Sequence, residues 1–343
     1  MTLQRVVVMC QRRTACCLCA SRGVPSGRAA TCCHRLPPMR RRRSALLFAG
    51  AATRLLLALL CSAAHLSAAV NTSAASVGEG PVDTWAVIVD SSRYWLNYRH
   101  AANALGIYQA VRRLGLPDSR ILLMLADQPA CSPRNVHPGR IYLAPGAGAA
   151  GAAAAASDPA NLLPQDIELD YRGREVSAET VLRVLTGRHL PGTPASKRLR
   201  SGRRSRVLLY LTGHGGDEFL KFHDQEELLA TDLAAALAQM HAAGRYGELL
   251  LLADTCQASS LYAHVTAPGV LALASSKLGQ SSYAHHLDAT IGLHVVDQAS
   301  YHLHHFLTTR LPPDPAAADG VSAAASGGGS IRGSGSRTRG PSL

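Results

Sequence analysis

The chain has 343 residues, of which 47% are apolar and only 5% aromatic, and it carries a formal charge of +12. That length accommodates one large or two ordinary domains and a sizeable core. Residues 1–69 hold eleven arginines and no acid, leaving +1 for the rest of the chain; the basicity belongs to a leader, which argues against a nucleic-acid surface on the folded part.

The cysteines divide in the same way. Seven precede residue 70 and only Cys131 and Cys256 follow, so the folded part has neither a disulfide framework nor a paired-Cys zinc site. Met39-Arg-Arg-Arg-Arg-Ser44, the apolar stretch 45–60 and Ser67-Ala68-Ala69 have the three regions of a secretory signal. Residues 1–69 are therefore read as leader and signal peptide, with an alternative start at Met39 and cleavage near Ala69. Asn71-Thr72-Ser73 follows, the only glycosylation sequon in the chain, which makes Asn71 the candidate acceptor of a lumenal protein.

Residues 84–90 are an apolar, β-branched strand, and 98–114 have helical spacing closed by Gly115 and Pro117. Residues 121–125 are a second strand. Residues 143–159 are almost wholly alanine and glycine, a low-complexity insert. A strand over 166–171 puts Glu168 and Asp170 on one face, which suits either a hard cation or a solvated edge. A helix over 177–188 begins at Ser177, with Thr180 in its first turn, and a basic loop over 191–206 precedes the most informative stretch of the chain.

That stretch is 207–258. Two short apolar runs read as buried parallel strands. The first leads into Gly213-His214-Gly215-Gly216 and the second into Asp254-Thr255-Cys256-Gln257. Residues 231–243 between them are helical, with Thr231 as N-cap and Gly244 as stop, so the unit is βαβ. Ligands bind at the carboxyl ends of parallel strands, which places His214 and Cys256 together on one rim. A thiol beside an imidazole makes a nucleophile with its acid/base, and the backbone N–H groups of Gly215 and of Cys256 itself suit an oxyanion. A buried Cys or a lone His is by itself ordinary core or surface; the two at equivalent strand ends favour chemistry. The loop 91–97 after the first strand reaches the same rim, where Asn97 reads equally as a helix cap or as a partner orienting His214.

A short strand over 219–222 belongs to a hairpin flanking the site. Residues 270–276 form another buried strand ending at the rim, with Ser275 and Ser276 as pocket candidates. Residues 293–307 have helical spacing and carry His294, His302, His304 and His305; two are adjacent and face apart, so they read as surface histidines rather than metal ligands. The tail 311–343 is Pro, Ala, Gly, Ser and Arg, a disordered composition with no apolar run of about 20 residues.

An apolar strand leading into His-Gly and another leading into Cys resemble the caspase and legumain clan of cysteine peptidases. Within it, Leu211-Thr212-Gly213-His214-Gly215-Gly216 and Asp254-Thr255-Cys256-Gln257-Ala258 resemble the glycosylphosphatidylinositol (GPI) transamidase family. The resemblance runs from about Trp85 to Phe306 and includes Asn97-Tyr98-Arg99-His100, Leu125-Ala126-Asp127, Cys131-Ser132-Pro133-Arg134-Asn135, Val184-Leu185-Thr186-Gly187-Arg188 and Ala272-Leu273-Ala274-Ser275-Ser276.

The resemblance implies an α/β fold over 70–310, a caspase-like three-layer sandwich whose mostly parallel central sheet is flanked by helices. It implies a catalytic Cys256 and His214, with Asn97 beside them, and no cofactor for the chemistry. A structural calcium would be held by Asp118, Glu168 and Asp170. Cys131, which from its sequence alone is either buried or bridged to another chain, would be joined by a disulfide to a companion lumenal subunit.

The implied reaction cleaves the C-terminal signal of precursor proteins through a Cys thioester and passes the acyl group to the ethanolamine amine of a GPI lipid. The implied place is the endoplasmic reticulum lumen, among lumenal and membrane subunits. Many family members end in a transmembrane helix; this chain is expected to lack one and to reach the membrane through its partners. Two alternatives stand beside this reading. A legumain-type asparaginyl endopeptidase would hydrolyse Asn-containing peptides, and a non-catalytic scaffold would leave Cys256 unlabelled by active-site thiol reagents.

Overall fold

The structure is a computed structural model that describes residues 83–146, 160–163 and 167–313. The leader, Asn71, residues 147–159 of the insert and the tail from 314 lie outside the described residues. In chain order the elements are β1 (Thr84–Asp90), α1 (Tyr98–Arg113), β2 (Ile121–Leu125), β3 (Tyr171–Arg172), α2 (Ala178–Thr186) and β4 (Arg206–Thr212). There follow β5 (Gly215–Gly216), β6 (Phe219–Phe222), β7 (Glu226–Leu229), α3 (Ala230–Ala242), β8 (Glu248–Asp254), β9 (Val270–Ala274), β10 (Ala284–Asp288), β11 (Leu293–Asp297) and α4 (Gln298–Thr309).

Six strands form one parallel sheet in the order β3-β2-β1-β4-β8-β9. In β1, β2, β4 and β8 nearly every residue is buried, because the sheet is covered on both faces and each strand must be apolar on both. Trp85, Val87, Val89, Val207, Leu209, Leu211, Leu249 and Leu251 point to one face and pack with Val181, Val184 and Leu185 of α2 and Leu233, Leu237 and Met240 of α3. The alternate residues face α1 and α4, which completes the expected three layers. The chain grows outward from β1 through β2 to β3, then returns to start again at β4. The boundary between β1 and β4 is thus the topological switch point, where the loops leaving the two strands diverge and open a crevice.

Capping explains several boundaries. Ser177 accepts a hydrogen bond from the Thr180 N–H at 3.0 Å to start α2, which ends at Gly187 in the left-handed conformation. Helix α3 starts at Ala230, and its N-cap position is Leu229, two residues before the expected Thr231 cap, because the chain runs into it directly from β7.

Three expectations are corrected. Residues 167–170 do not form a strand, and Asp166 lies outside the described residues; only Tyr171 and Arg172 pair, at the sheet edge beside β2. Glu168 is exposed while Asp170 is buried, and no ladder pairs either residue. Residues 293–297, expected to open a helix, form β11 and pair antiparallel with β10, and the helix begins only at Gln298. Leu-His-Val-Val-Asp suits a strand, and β10 supplies a ladder that local helical spacing cannot reveal. Strand β9 is the outer edge of the sheet and half-exposed rather than buried. The packed part also reaches beyond both proposed limits. Leu143 is buried against α1, where a Cβ on Gly106 would come within 2.9 Å of it, and Leu311 is buried with its carbonyl accepting from Arg113.

Candidate active site

Leu125, Asp90, Thr212 and Asp254 lie in one row across four neighbouring strands. Asp127, Ser92, His214 and Cys256 each come two residues after that row. The parallel register therefore brings His214 and Cys256 to equivalent points on adjacent strands, as expected from the apolar runs alone.

Two glycines bring the His214 turn against its neighbours. Gly213 has φ +153, and a Cβ there would run into Ser91 Oγ from the β1 loop. A Cβ on Gly215 would meet Thr255 Oγ1 at 2.6 Å and the Phe219 carbonyl at 2.7 Å, so the strand after His214 lies directly on the residue before Cys256. Strands β5, β6 and β7 form a small antiparallel sheet, the expected hairpin flank. After Cys256, Gln257 takes a left-handed conformation and turns the chain into a 3-10 helix over Ala258–Tyr262. The Gln257 N–H donates to the Gln280 carbonyl at 2.8 Å. Cys256 is a half-buried free thiol.

Asn97 occupies the N-cap position of α1, but its side chain makes no cap hydrogen bond. Its Nδ2 donates to the Arg93 carbonyl at 2.6 Å, and its Oδ1 meets His214 Nε2 at 2.8 Å. A carboxamide oxygen only accepts, so His214 carries its proton on Nε2 and Nδ1 is left as the basic nitrogen. Burial, and then the positive charge of Arg99, hold His214 below its ordinary pKa and so neutral near pH 7. His100, also buried and held well below its ordinary value, stands edge-on to His214 with ring centroids 4.9 Å apart.

Beneath the rim lies a polar network that sequence reasoning missed. Asn103 Nδ2 donates to Asp297 Oδ2 at 2.6 Å and to Thr212 Oγ1 at 3.1 Å, and Arg99 Nε reaches Asp297 Oδ1 at 3.0 Å. Asp254 Oδ2 accepts from the Ser300 N–H, and its Oδ1 accepts from Ser282 Oγ at 2.7 Å. Burial and the nearby Asp254 push Asp297 up to about 7. Arg99, His100 and Asn103 share one helix turn next to Asn97, but Asp297 and Ser300 come from almost 200 residues away, and no local pattern links them.

Ser275 and Ser276 do lie beside Cys256, with their hydroxyls on the backbone of Thr255. Ser275 Oγ accepts the Thr255 N–H at 3.2 Å, and Ser276 Oγ donates to the Thr255 carbonyl at 2.7 Å while accepting from Ala258. They brace the Cys256 turn. Cys131 is an exposed free thiol on the loop after β2.

Asp118, Glu168 and Asp170 are neighbours at the far side of β2. Asp170 is buried and accepts the Leu123 N–H at 2.9 Å; burial, then the charges of Glu168 and Asp118, push it up to about 7. Asp118 accepts from Tyr108 at 2.6 Å. An oxygen-only set with mutual repulsion is chemically suited to a hard cation. Among the described residues, no three such side chains are already gathered into a coordination shell, and Asp166 lies outside them. His294, His302 and His305 are exposed, whereas His304 is half-buried and pushed down to about 4 by burial.

A doubly covered parallel sheet that presents a thiol and an oriented imidazole at neighbouring strand ends defines a cysteine-peptidase-like α/β enzyme. Residues 84–304 match the Peptidase C13 family, and the chain belongs to that family. It is 48% identical over 229 residues to the GPI-anchor transamidase of Schizosaccharomyces pombe, covering 67% of this chain and 57% of that protein. It is 47% identical over 228 residues to the human GPI-anchor transamidase, covering 66% of this chain and 55% of that one. It is also 46% identical to the putative GPI-anchor transamidase of Caenorhabditis elegans, with 67% and 68% covered. The chain thus spans a little over half the length of the yeast and human relatives.

Proposed function

We propose that this chain is the catalytic subunit of a GPI transamidase acting in the endoplasmic reticulum lumen. The observation that carries the reading is the Asn97–His214 hydrogen bond. It fixes the proton on Nε2 and leaves Nδ1 as the basic nitrogen, as a base for Cys256 requires, in a chain whose relatives are named transamidases.

Cys256 Sγ attacks the carbonyl carbon of a precursor's scissile amide and gives its proton to His214 Nδ1. The oxyanion forms against the N–H groups of Gly215 and Cys256; among the described residues nothing else engages the Cys256 amide. Collapse breaks the C–N bond, His214 returns the proton to the departing amine, and a thioester remains. The ethanolamine amine of a GPI lipid then attacks the thioester, His214 takes its proton, and Cys256 leaves as the thiol. Every step uses the thiol, the imidazole and backbone donors, so no cofactor enters the chemistry.

The exposed Cys131 is available to bridge a companion lumenal subunit, and further membrane subunits would bring in precursor and lipid. Among the described residues no helix is long and apolar enough to cross a membrane. Asp118, Glu168 and Asp170 would hold a calcium ion as a structural charge-neutraliser remote from the thiol.

The experiment replaces Cys256 by Ala, and separately His214 by Ala, in cells that depend on this chain. Precursors should keep their uncleaved C-terminal signals in both, with the double variant no worse than either single. Normal anchoring in either variant overturns the proposal, and cleavage without lipid attachment by the wild-type complex would make the protein a hydrolase instead.

A further inference from the structure

Asp127 lies two residues past β2, in the same row as His214 and Cys256 but on the other side of β1. No step of the reaction uses it. Its carboxylate is nevertheless committed at both oxygens: Oδ1 accepts the Gln128 N–H at 2.8 Å, and Oδ2 accepts the Tyr94 N–H at 2.6 Å. The second bond crosses from one rim loop to another.

Tyr94 is the strained member of the β1 loop, at φ 77 and ψ 150, a conformation natural to glycine and unfavourable for any other residue. Its amide N–H belongs to the same peptide plane as the Arg93 carbonyl, and that carbonyl is the acceptor for Asn97 Nδ2 at 2.6 Å. In a planar trans peptide the N–H and C=O point in opposite directions, so holding one end aims the other. The Tyr94 carbonyl also accepts the Asn97 N–H at 2.9 Å. Asp127 therefore grips one end of a peptide whose other end sets the Asn97 amide. That amide in turn presents Oδ1 to His214 Nε2 at 2.8 Å.

We propose that Asp127 is a positioning residue for the imidazole, acting through the Arg93–Tyr94 peptide and Asn97 to keep His214 in the tautomer and orientation that serve Cys256. The strained Tyr94 is what makes a carboxylate necessary. Without it the peptide is free to rotate to a relaxed conformation, the Arg93 carbonyl turns away, and Asn97 loses the bond that fixes its amide. The inference rests on the pairing of Cys256 with His214.

The test follows the alkylation rate of Cys256 by iodoacetamide at neutral pH in the full-length chain, read on the Cys256 peptide by mass spectrometry. Asp127→Ala is expected to slow alkylation by up to about a hundredfold. Added to Asn97→Ala it should slow the reaction no further, because both act through one amide. Tyr94→Gly should restore most of the rate to Asp127→Ala, since glycine holds this backbone conformation unaided. A residue that only supported the fold would lower the melting temperature and show neither the epistasis nor the rescue. If Asp127→Ala fails to fold, Asp127→Asn, which keeps the volume and one acceptor, carries the same comparisons.

Three results would each overturn the inference: an unchanged rate in the Asp127 variant, a full additional loss on top of Asn97→Ala, or no rescue by Tyr94→Gly. His214→Ala separates the two levels. If it leaves alkylation unchanged, the pairing of Cys256 with His214 is wrong and the inference falls with it. If it and Asn97→Ala slow the reaction while Asp127→Ala does not, only the inference is wrong.

Discussion

Asn97 shows what one residue's neighbours decide. An Asn just before a helix is a favoured cap, and the sequence left that role level with the catalytic one. The side chain caps nothing and spends both ends of its amide on the Arg93 carbonyl and His214. Asn97→Ala should therefore lower kcat/KM by tens to thousands, on the order expected when an orienting group is lost, while the melting temperature stays near wild type. A fall in melting temperature at full activity would return Asn97 to a capping role. The low pKa of His214 has a direction that can also be tested. If His214 is the base for Cys256, activity needs the neutral imidazole; burial with Arg99 keeps the proton off, so activity should be retained as pH falls until the depressed pKa is reached. The acidic limb of kcat/KM should lie below the ordinary histidine value of about 6.5. A limb above that value, abolished in His214→Ala, would reverse the assigned sign.

Between elements, the contact that matters is β5 on the turn before Cys256. Gly215→Ala would force a methyl group to within 2.6 Å of Thr255 Oγ1 and 2.7 Å of a backbone carbonyl, and the carbonyl cannot rotate away. Overpacking of this kind costs about 1–3 kcal/mol and should shift the Cys256 turn. Gly215→Ala should thus lose both thermal stability and most activity, and wild-type values for both would show that β5 and the Thr255 turn are not in such close contact. Elements are also where local reading failed. The helical spacing of 293–307 concealed β11, whose pairing partner lies in β10, and the alternating acids of 166–170 suggested a strand, whereas residues 167–170 stay outside the ladder that Tyr171 and Arg172 make. At the sheet edge the deciding pairing joins Met124 and Leu125 to residues far along the chain, whereas β11 pairs with a strand only a hairpin turn away, and the helical spacing masked that hairpin.

For the whole molecule, two predictions concern what the chain holds and what it is held by. If a calcium ion joins Asp118, Glu168 and Asp170, a chelator should lower the melting temperature while leaving Cys256 alkylation nearly unchanged, because the carboxylates lie on the far side of β2 from the thiol. An unmoved melting curve together with no metal by elemental analysis would remove the ion. Cys131 is exposed, so a bridge to another subunit should appear on non-reducing gels as a high-mass band that collapses on reduction and is absent in Cys131→Ser. Loss of that bridge should weaken the complex through lower effective concentration, with activity partly kept. A wild-type chain running as a monomer without reductant would refute it.

The sequence by itself determined the parallel core and the residues that arm it, because buried strands must be apolar throughout and therefore stand out, and because each run stops where a polar residue is needed. His214 and Cys256 could be paired from their equal offsets after two such runs. Only the tertiary structure decided which way the Asn97 amide faces, which His214 nitrogen is basic, that Asp127 shares the same row, and that Asp297 and Ser300 close the network beneath. Those are matters of orientation and of contact between distant segments. They depend on strand register and on individual hydrogen bonds, neither of which leaves a periodicity in the chain.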